Sequence, residues 1–342
     1  MARIVQKYGG TSMANIKRMR AVAAKIEERA KLGNELMVVV SACAGVTNNL
    51  LKRAREVSKR PNAACLDALL CIGECESAAM LAIILNDIGI RAVFRNAYQV
   101  GITTCSTFGN ARIMDISGGD VENCLKDGQV VVVTGFQGVD ANMCPTTLGR
   151  GGSDLTALAL AHRFGADLCE IYTDVEGVFS GDPRVIDGPN LMDVISHDFL
   201  LKLAFLDNNI MQDRSVAFAK KMGINFSITS SFGQSPGGGT RVLNSFPCSE
   251  STVVGLTYKT GLVLISAISK GNIFDNFLKI FTNNGINISF LRHTKLGDSG
   301  EFFEEIAVAA SDYSLLKISH FDTLFSQNFS AIENLTRIDI VG

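Results

Sequence analysis

Arg3-Ile4-Val5-Gln6-Lys7-Tyr8-Gly9-Gly10-Thr11-Ser12 decides the fold: a short apolar strand stops at two glycines, and Thr11-Ser12 reads as the opening of a helix running to about Lys31. The same strand, turn and helix unit recurs. Leu36 to Ser41 is an almost continuous apolar run, Ala44-Gly45 a turn, and Thr47 to Ser58 an amphipathic helix. Further along, helices are expected over 66–86, 119–126 and 153–164, and strands over 91–96, 129–135 and 168–173. Strands that are apolar along their whole length are buried on both faces. Their alternation with helices therefore predicts an α/β fold, a mostly parallel central sheet with helices on both sides.

The chain's 342 residues exceed one ordinary core of about 100–200 residues, so two domains are expected. The texture changes at Ser230, where Ser231-Phe232-Gly233-Gln234-Ser235-Pro236-Gly237-Gly238-Gly239 carries turn residues without periodicity. A linker is placed between there and about Ser251. Beyond it, strands over 262–269, 286–293 and 302–309 and helices over 273–282 and 313–325 give a small α+β module in βαββα order. Residues 337–342 resemble the start of another strand. The expected boundaries are 1–245, 253–336 and 337–342.

Composition narrows the function. Apolar residues make up 47% of the chain, too many for a disordered protein. Lys and Arg number 32 against 34 Asp and Glu, for a net charge of -2 without a basic block, which disfavours nucleic-acid binding. The longest apolar run, Ala78 to Leu85, is far short of the roughly 18–20 residues that span a bilayer. With an N-terminus that enters a strand directly, no membrane partner and a cytoplasmic location are expected. Nine cysteines lack any CxxC pair or finger spacing and read as reduced, mostly buried side chains. None of the four histidines falls in a motif, and none is assigned a catalytic role.

Two glycine segments, Lys7-Tyr8-Gly9-Gly10-Thr11-Ser12 and Gly149-Arg150-Gly151-Gly152-Ser153-Asp154, sit where a strand or loop enters a helix. Unpaired backbone N–H groups and the positive helix end point outward at such a junction, which suits an anion. Lys7 adds a mobile positive charge. Neither segment is a P-loop or a dinucleotide fingerprint, and each glycine pair alone equally reads as a tight turn.

These motifs, with Tyr172-Thr173-Asp174-Val175-Glu176-Gly177-Val178-Phe179-Ser180-Gly181-Asp182-Pro183-Arg184, resemble those of aspartate kinases within the wider amino acid kinase family. Thr47, Gly73-Glu74, Gly109-Asn110-Ala111-Arg112 and Gly135-Phe136-Gln137-Gly138 agree in order and spacing, so the likeness covers nearly the whole chain. The resemblance implies a three-layer αβα catalytic domain and, from about 253, an ACT-type regulatory domain, with 337–342 opening a truncated second one. It implies Mg2+-dependent transfer of the ATP γ-phosphate to the β-carboxylate of L-aspartate, the entry to lysine, threonine and methionine synthesis. A carboxylate is already ionised at neutral pH and needs no general base, so catalysis rests on placement and charge neutralisation.

By the same resemblance, Lys7 neutralises the transferring phosphoryl group and Asp154 holds Lys7. Tyr8, Gly9, Gly10, Thr173, Asp174, Phe179, Asp182 and Arg184 line the ATP site, with Phe179 against adenine. Ser41, Thr47, Glu74, Arg150, Gly152 and Ser153 take aspartate, Arg150 gripping the α-carboxylate and Glu74 the α-ammonium; no residue is assigned to the metal. A homo-oligomer and a lysine or threonine effector are expected too.

The chain departs from the family at several places, among them Phe179, where the family usually has Tyr, a change that keeps the apolar face. The Gly-Ser/Ala-Lys triplet before Arg214-Ser215-Val216 reads Asp207-Asn208-Asn209, removing one phosphate-contacting cation. Ser269-Lys270-Gly271-Asn272 replaces Asp-x-Pro-Gly at the ACT strand-to-helix turn, and His293 replaces a glutamine after Gly285-Ile286-Asn287-Ile288. The competing readings are a catalytically impaired nucleotide-binding homologue with a regulatory role, and a kinase for acetylglutamate, glutamate or carbamate. Arg150 with Glu74 weighs against the latter, because together they recognise a free α-amino acid.

Overall fold

The computed structural model describes the chain outside residues 207–209, 234–237, 245–254, 271–278, 280, 282–285, 298, 314–328 and 342. Two units are present, Met1–Gly255 with Val341–Gly342, and Leu256–Ile340. In chain order the first contains β1 (Arg3–Tyr8), α1 (Ile16–Lys31), β2 (Glu35–Val40), α2 (Val46–Val57), α3 (Ala63–Leu70), α4 (Ile72–Asp87), β3 (Ala92–Arg95) and α5 (Ala97–Val100). There follow β4 (Ile102–Thr104), β5 (Ile113–Ile116), α6 (Val121–Lys126), β6 (Val130–Thr134), β7 (Gln137–Val139), β8 (Pro145–Thr147) and α7 (Gly152–Arg163). The unit continues with β9 (Leu168–Thr173), β10 (Val194–Ser196), α8 (His197–Phe205), α9 (Asp213–Met222), β11 (Phe226–Ser230) and β12 (Thr240–Leu243).

Eight strands form the central sheet in the order β10-β12-β11-β9-β1-β2-β6-β3, parallel throughout except for the β11/β12 pair. Successive side chains of a strand leave opposite faces, and the cores follow that period. Val5, Met37, Val39, Val131 and Val133 pack with α7 and α9 on one side, while Ile4, Leu36, Val38, Val40, Val130 and Val132 pack with α1 and α4 on the other. Three layers result, as the continuous apolar strands require.

Several expectations need adjustment. The first helix starts at Ile16, capped by the Asn15 side chain on the Arg18 N–H, because Gly9 to Met13 form a separate turn closed by Ser12 N–H to Gly9 O. The helix over 66–86 is two helices meeting at Cys71. The stretch 63–87 is long and apolar enough to cross a membrane, yet more than half of its most apolar window is buried in the unit, including Leu81 and Leu85. It is the core helix of this layer. The linker placed over 230–251 contains β12, which pairs with both β10 and β11 and belongs to the first unit. The cysteines are less buried than expected: Cys71, Cys124 and Cys169 are buried, while Cys65 is exposed.

A second sheet, β5-β4-β7-β8, arises from strands of three or four residues that carry no readable period. It leads from the central sheet into the glycine segment before α7.

The second unit is a four-stranded sheet of β13 (Gly255–Lys270), β14 (Ile288–Leu296), β15 (Glu301–Ala309) and β16 (Phe329–Val341), in the order β14-β15-β13-β16. Val263, Ile265, Ile306 and Val308 form its core with Phe281 and Tyr313. Residues 337–341 continue β16, which joins this sheet. Most of the helices expected over 273–282 and 313–325, and the turn at 271–272, lie outside the described residues.

Candidate active site

Parallel strands bring their carboxyl ends to one edge, where ligands of open α/β sheets bind. Here Tyr8, Val40, Thr134 and Tyr172 stand in register at that edge. The turns after them therefore converge: Gly9-Gly10 after β1, Ser41 to Gly45 after β2, Gly135-Phe136 after β6 and Thr173-Asp174 at the end of β9.

Lys7, one residue from the end of β1, extends toward α7, where its Nζ lies 2.6 Å from Asp154 Oδ1. Both side chains are about nine-tenths buried, with 12% and 10% exposed. Nζ folds over Gly9, where a methyl group would stand 3.5 Å away. Lys7 is thus fixed beside a backbone turn instead of trailing in solvent. At Gly10 a methyl would stand 2.9 Å from Ala42 O, so only glycine lets the β1 and β2 turns lie this close. The anion site after β1 is built from the turn itself, since the helix dipole begins at Ile16, whereas α7 begins immediately after Gly151. Gly151 takes the left-handed conformation (φ 69°) and gives α7 no side-chain cap; the Gly152 N–H donates to Gly149 O, so the first-turn N–H groups that suit an anion are those of Ser153 and Asp154.

Glu74 lies in the first turn of α4 and is 3% exposed. One carboxylate oxygen accepts from Ala42 N–H at 3.1 Å, while the other, Oε2, is buried without a hydrogen-bond partner among the described residues. Burial pushes its pKa up to about 7, against the Ala42 N–H that favours the ionised form. A buried carboxylate with an orphan oxygen fits a cation-bearing ligand. Ser153 is held against Gly135, where a methyl would stand 2.6 Å from Ser153 Oγ.

The remaining expected residues are more dispersed. Thr47 and Ser41 are partly buried around the second turn, and Ser41 N–H donates to Tyr8 O. Arg150 is exposed at the lip of the α7 turn. Tyr8 is fully buried, stacked on Tyr172 with ring centroids 4.6 Å apart, so its side chain is core and only its backbone faces the edge. Thr173 donates to Asp174 Oδ1, and Ser231 Oγ, which accepts from Ser12 Oγ, donates to Thr173 O, which ties the first turn to the ends of β9 and β11. Phe179, Asp182 and Arg184 lie on an arm after β9, anchored by Val178 N–H to Thr240 Oγ1. Asp182 accepts from the Arg184 guanidinium at 2.8 Å. Asn209 lies outside the described residues.

Sequence reasoning missed two contacts. Asp67, in an otherwise apolar helix, is 2% exposed, and its Oδ2 accepts from Gly109 N–H at 2.8 Å and Thr147 N–H at 2.7 Å. Arg214 donates through Nη1 to Asn110 Oδ1 beside Gly149, while its Nε and Nη2 are buried without partners among the described residues. Burial pulls its pKa down. For Asp67 the only sequence signal is a charged residue in an apolar stretch; Arg214 and Asn110 both fall in segments that resemble the family, with nothing local to pair them.

Among the described residues no three acidic, histidine or cysteine side chains converge as a metal cage.

Residues 2–230 match the model of the amino acid kinase family. An aspartokinase of Bacillus sp. (strain MGA3) is 36% identical over all of this chain and 84% of its own length. That of Geobacillus stearothermophilus is 39% identical, over 85% of this chain and 72% of its own. Among solved structures, E. coli aspartokinase III in complex with lysine and aspartate superposes with a TM-score of 0.82, covering 99% of this chain and 87% of the other at 23% identity. That last likeness is one of fold.

Proposed function

The chain belongs to the amino acid kinase family, within its aspartokinase group, and from that premise we propose that it transfers the γ-phosphoryl group of ATP to the β-carboxylate of L-aspartate. The observation that carries this reading is the Lys7 ammonium, held by Asp154 at 2.6 Å beside the Gly9 turn. Two anions have to meet in this reaction, and a fixed ammonium at the point of transfer stabilises the charge spread over the phosphoryl oxygens. The N–H groups of Gly9 and Gly10 after β1, and of Ser153 and Asp154 in the first turn of α7, add donors without reorganisation. Mg2+, held by the nucleotide phosphates, supplies further neutralisation when bound. The exposed carboxylate of Asp174 and the partly buried one of Asp182 are the candidates to reach it or the ribose.

Aspartate is taken at the β2/α4 side. Glu74 Oε2 receives the α-ammonium, Arg150 the α-carboxylate in a forked pair, and Thr47 with Ser41 orient the β-carboxylate toward Lys7. The four-stranded unit serves as an ACT-like module. Aspartokinase III of E. coli has been solved with lysine bound, which supports an amino-acid effector here.

The purified chain with ATP, Mg2+ and aspartate should yield an acyl phosphate that hydroxylamine traps as a hydroxamate. Absence of aspartate-dependent hydroxamate would overturn the assignment.

A further inference from the structure

Asp67 is a carboxylate near the site that is both 2% exposed and bonded at each oxygen. Its Oδ2 accepts from two backbone N–H groups, Gly109 and Thr147, and its Oδ1 accepts from Thr147 Oγ1 at 3.0 Å. Each partner leads directly to a substrate loop. Thr147 is the last residue of β8, and the chain passes from it through Leu148 and Gly149 to Arg150. Gly109 opens the turn against which Gly149 lies: a methyl on Gly149 would stand 3.1 Å from Gly109 O and 3.0 Å from Asn110 Oδ1. Ala111 N–H donates to Thr147 O, closing the strap.

The same carboxylate stands on the piece of chain that carries Glu74. Across Cys71, whose N–H donates to Asp67 O, α3 passes into α4. Asp67 and Glu74 are separated by seven residues, about two helical turns and roughly 10 Å of rise. Asp67 grips the Arg150 loop, while Glu74 reaches Ala42 in the turn after β2.

We infer that Asp67 is a positioning residue that sets the span between Arg150 and Glu74, and through it the requirement for both an α-carboxylate and an α-ammonium on the substrate. This rests on the aspartate-binding roles given to Arg150 and Glu74 above. A buried carboxylate that accepts three hydrogen bonds cannot be exchanged for its amide at no loss. Asparagine keeps the volume, but with its amide oxygen on the two N–H groups its NH2 faces Thr147 Oγ1, which can no longer donate to position 67, and the two N–H bonds lose their charge assistance. The β8 end would move away from α3, and Arg150 with it, while the Lys7 and Gly9 side of the site keeps its own bonds.

The test compares wild type, Asp67→Asn and Thr147→Val, the last removing only the hydroxyl contact to Oδ1. Initial rates are measured against aspartate and ATP separately, with succinate, which lacks the ammonium, as a competing acceptor. Asp67→Asn should raise KM for aspartate about tenfold or more, what one lost charge-assisted hydrogen bond is worth, and leave KM for ATP within about twofold. Discrimination between aspartate and succinate should shrink by a similar factor. Thr147→Val should shift the same two quantities in the same direction by about threefold, and it decides the matter should Asp67→Asn fail to fold. Parallel rises in both KM values, or unchanged KM and discrimination in the folded variants, would overturn the positioning role. Lack of aspartate-dependent turnover in wild type would instead overturn the kinase reading.

Discussion

Lys7 Nζ and Asp154 Oδ1 lie 2.6 Å apart, joining the last turn of residues in β1 to the first turn of α7 across 147 positions of sequence. The pair does two things: it neutralises a cation in a site about nine-tenths buried, and it fixes where that cation stands. Lys7→Ala removes the charge at the transferring phosphoryl group and should lower kcat about 10³-fold, in the range of a lost oxyanion donor. Asp154→Asn keeps the cation but loosens it, and should lower kcat about 10²-fold, as a misplacement of about 1 Å does. Hydroxamate formation at saturating aspartate and ATP separates the two variants, and equal losses would show that Asp154 has a role beyond holding Lys7.

Glu74 gives the protein a pH signature of definite sign. Its pKa rises from 4.5 to about 7 on folding, so between those values the folded state binds more protons than the unfolded one. Stability without substrate therefore falls as pH rises from about 4.5 to about 7 and is flat above, by up to about 3 kcal/mol from this group. An arriving ammonium favours the ionised carboxylate and reverses the preference, so KM for aspartate should fall between pH 6 and pH 8. Glu74→Gln should remove both slopes. Urea midpoints at pH 5 and 8, paired with KM at pH 6 and 8, check the two halves.

Five strands of the central sheet, β1, β2, β3, β6 and β9, could be read to within about a residue from their continuous apolar runs, whereas β10, β11 and β12 were not read as strands. Leu36 to Val40 and Val130 to Thr134 admit no other reading. Boundaries set by hydrogen bonds were less legible. Thr11-Ser12 resembles a helix opening, but the Ser12 N–H closes back on Gly9 O, and the helix waits for its Asn15 cap. Thr240–Leu243 follows a glycine-rich stretch and is only four residues long, so its place in the sheet depends on partners 12 to 47 positions away. The site divides the same way. The glycines and Lys7 stand out locally, whereas the pairing with Asp154 was implied by resemblance to a family and takes its geometry from the structure. Asp67 and Arg214 belong to contacts that no local spacing encodes.

Gly73 is needed for its lack of a side chain. A methyl there would stand 2.7 Å from Ala42 Cβ and 3.2 Å from Val46 Cγ1, against backbone-anchored groups that cannot rotate aside. Gly73→Ala must therefore push α4 away from the turn after β2, stretching the Ala42 to Glu74 hydrogen bond. Overpacking of this kind destabilises by about 1–3 kcal/mol. Thermal unfolding should show that loss, and KM for aspartate should rise more than KM for ATP, since Lys7 and the β1 turn are anchored independently through α7.

Arg214 separates stability from function in the opposite direction. Its Nη1 holds Asn110, yet Nε and Nη2 are buried without partners among the described residues, and burial pulls the pKa down, a sign that the charge is poorly compensated in the free protein. Replacing such a group by an apolar chain of similar length removes the desolvation penalty along with the hydrogen bond, and the two nearly cancel. Arg214→Met should consequently unfold within about 1 kcal/mol of wild type or slightly above it. The Asn110 turn, however, loses its bracket, and Gly149 beside it is freed to shift. KM for aspartate should rise by about tenfold, the worth of one hydrogen bond from a charged group. Arg214→Lys, which retains a cation but not the planar fork, should lose function similarly and also lose stability. Melting curves and aspartate KM for both variants decide: a stable Arg214→Met with wild-type KM would leave the guanidinium no part in ordering the loop.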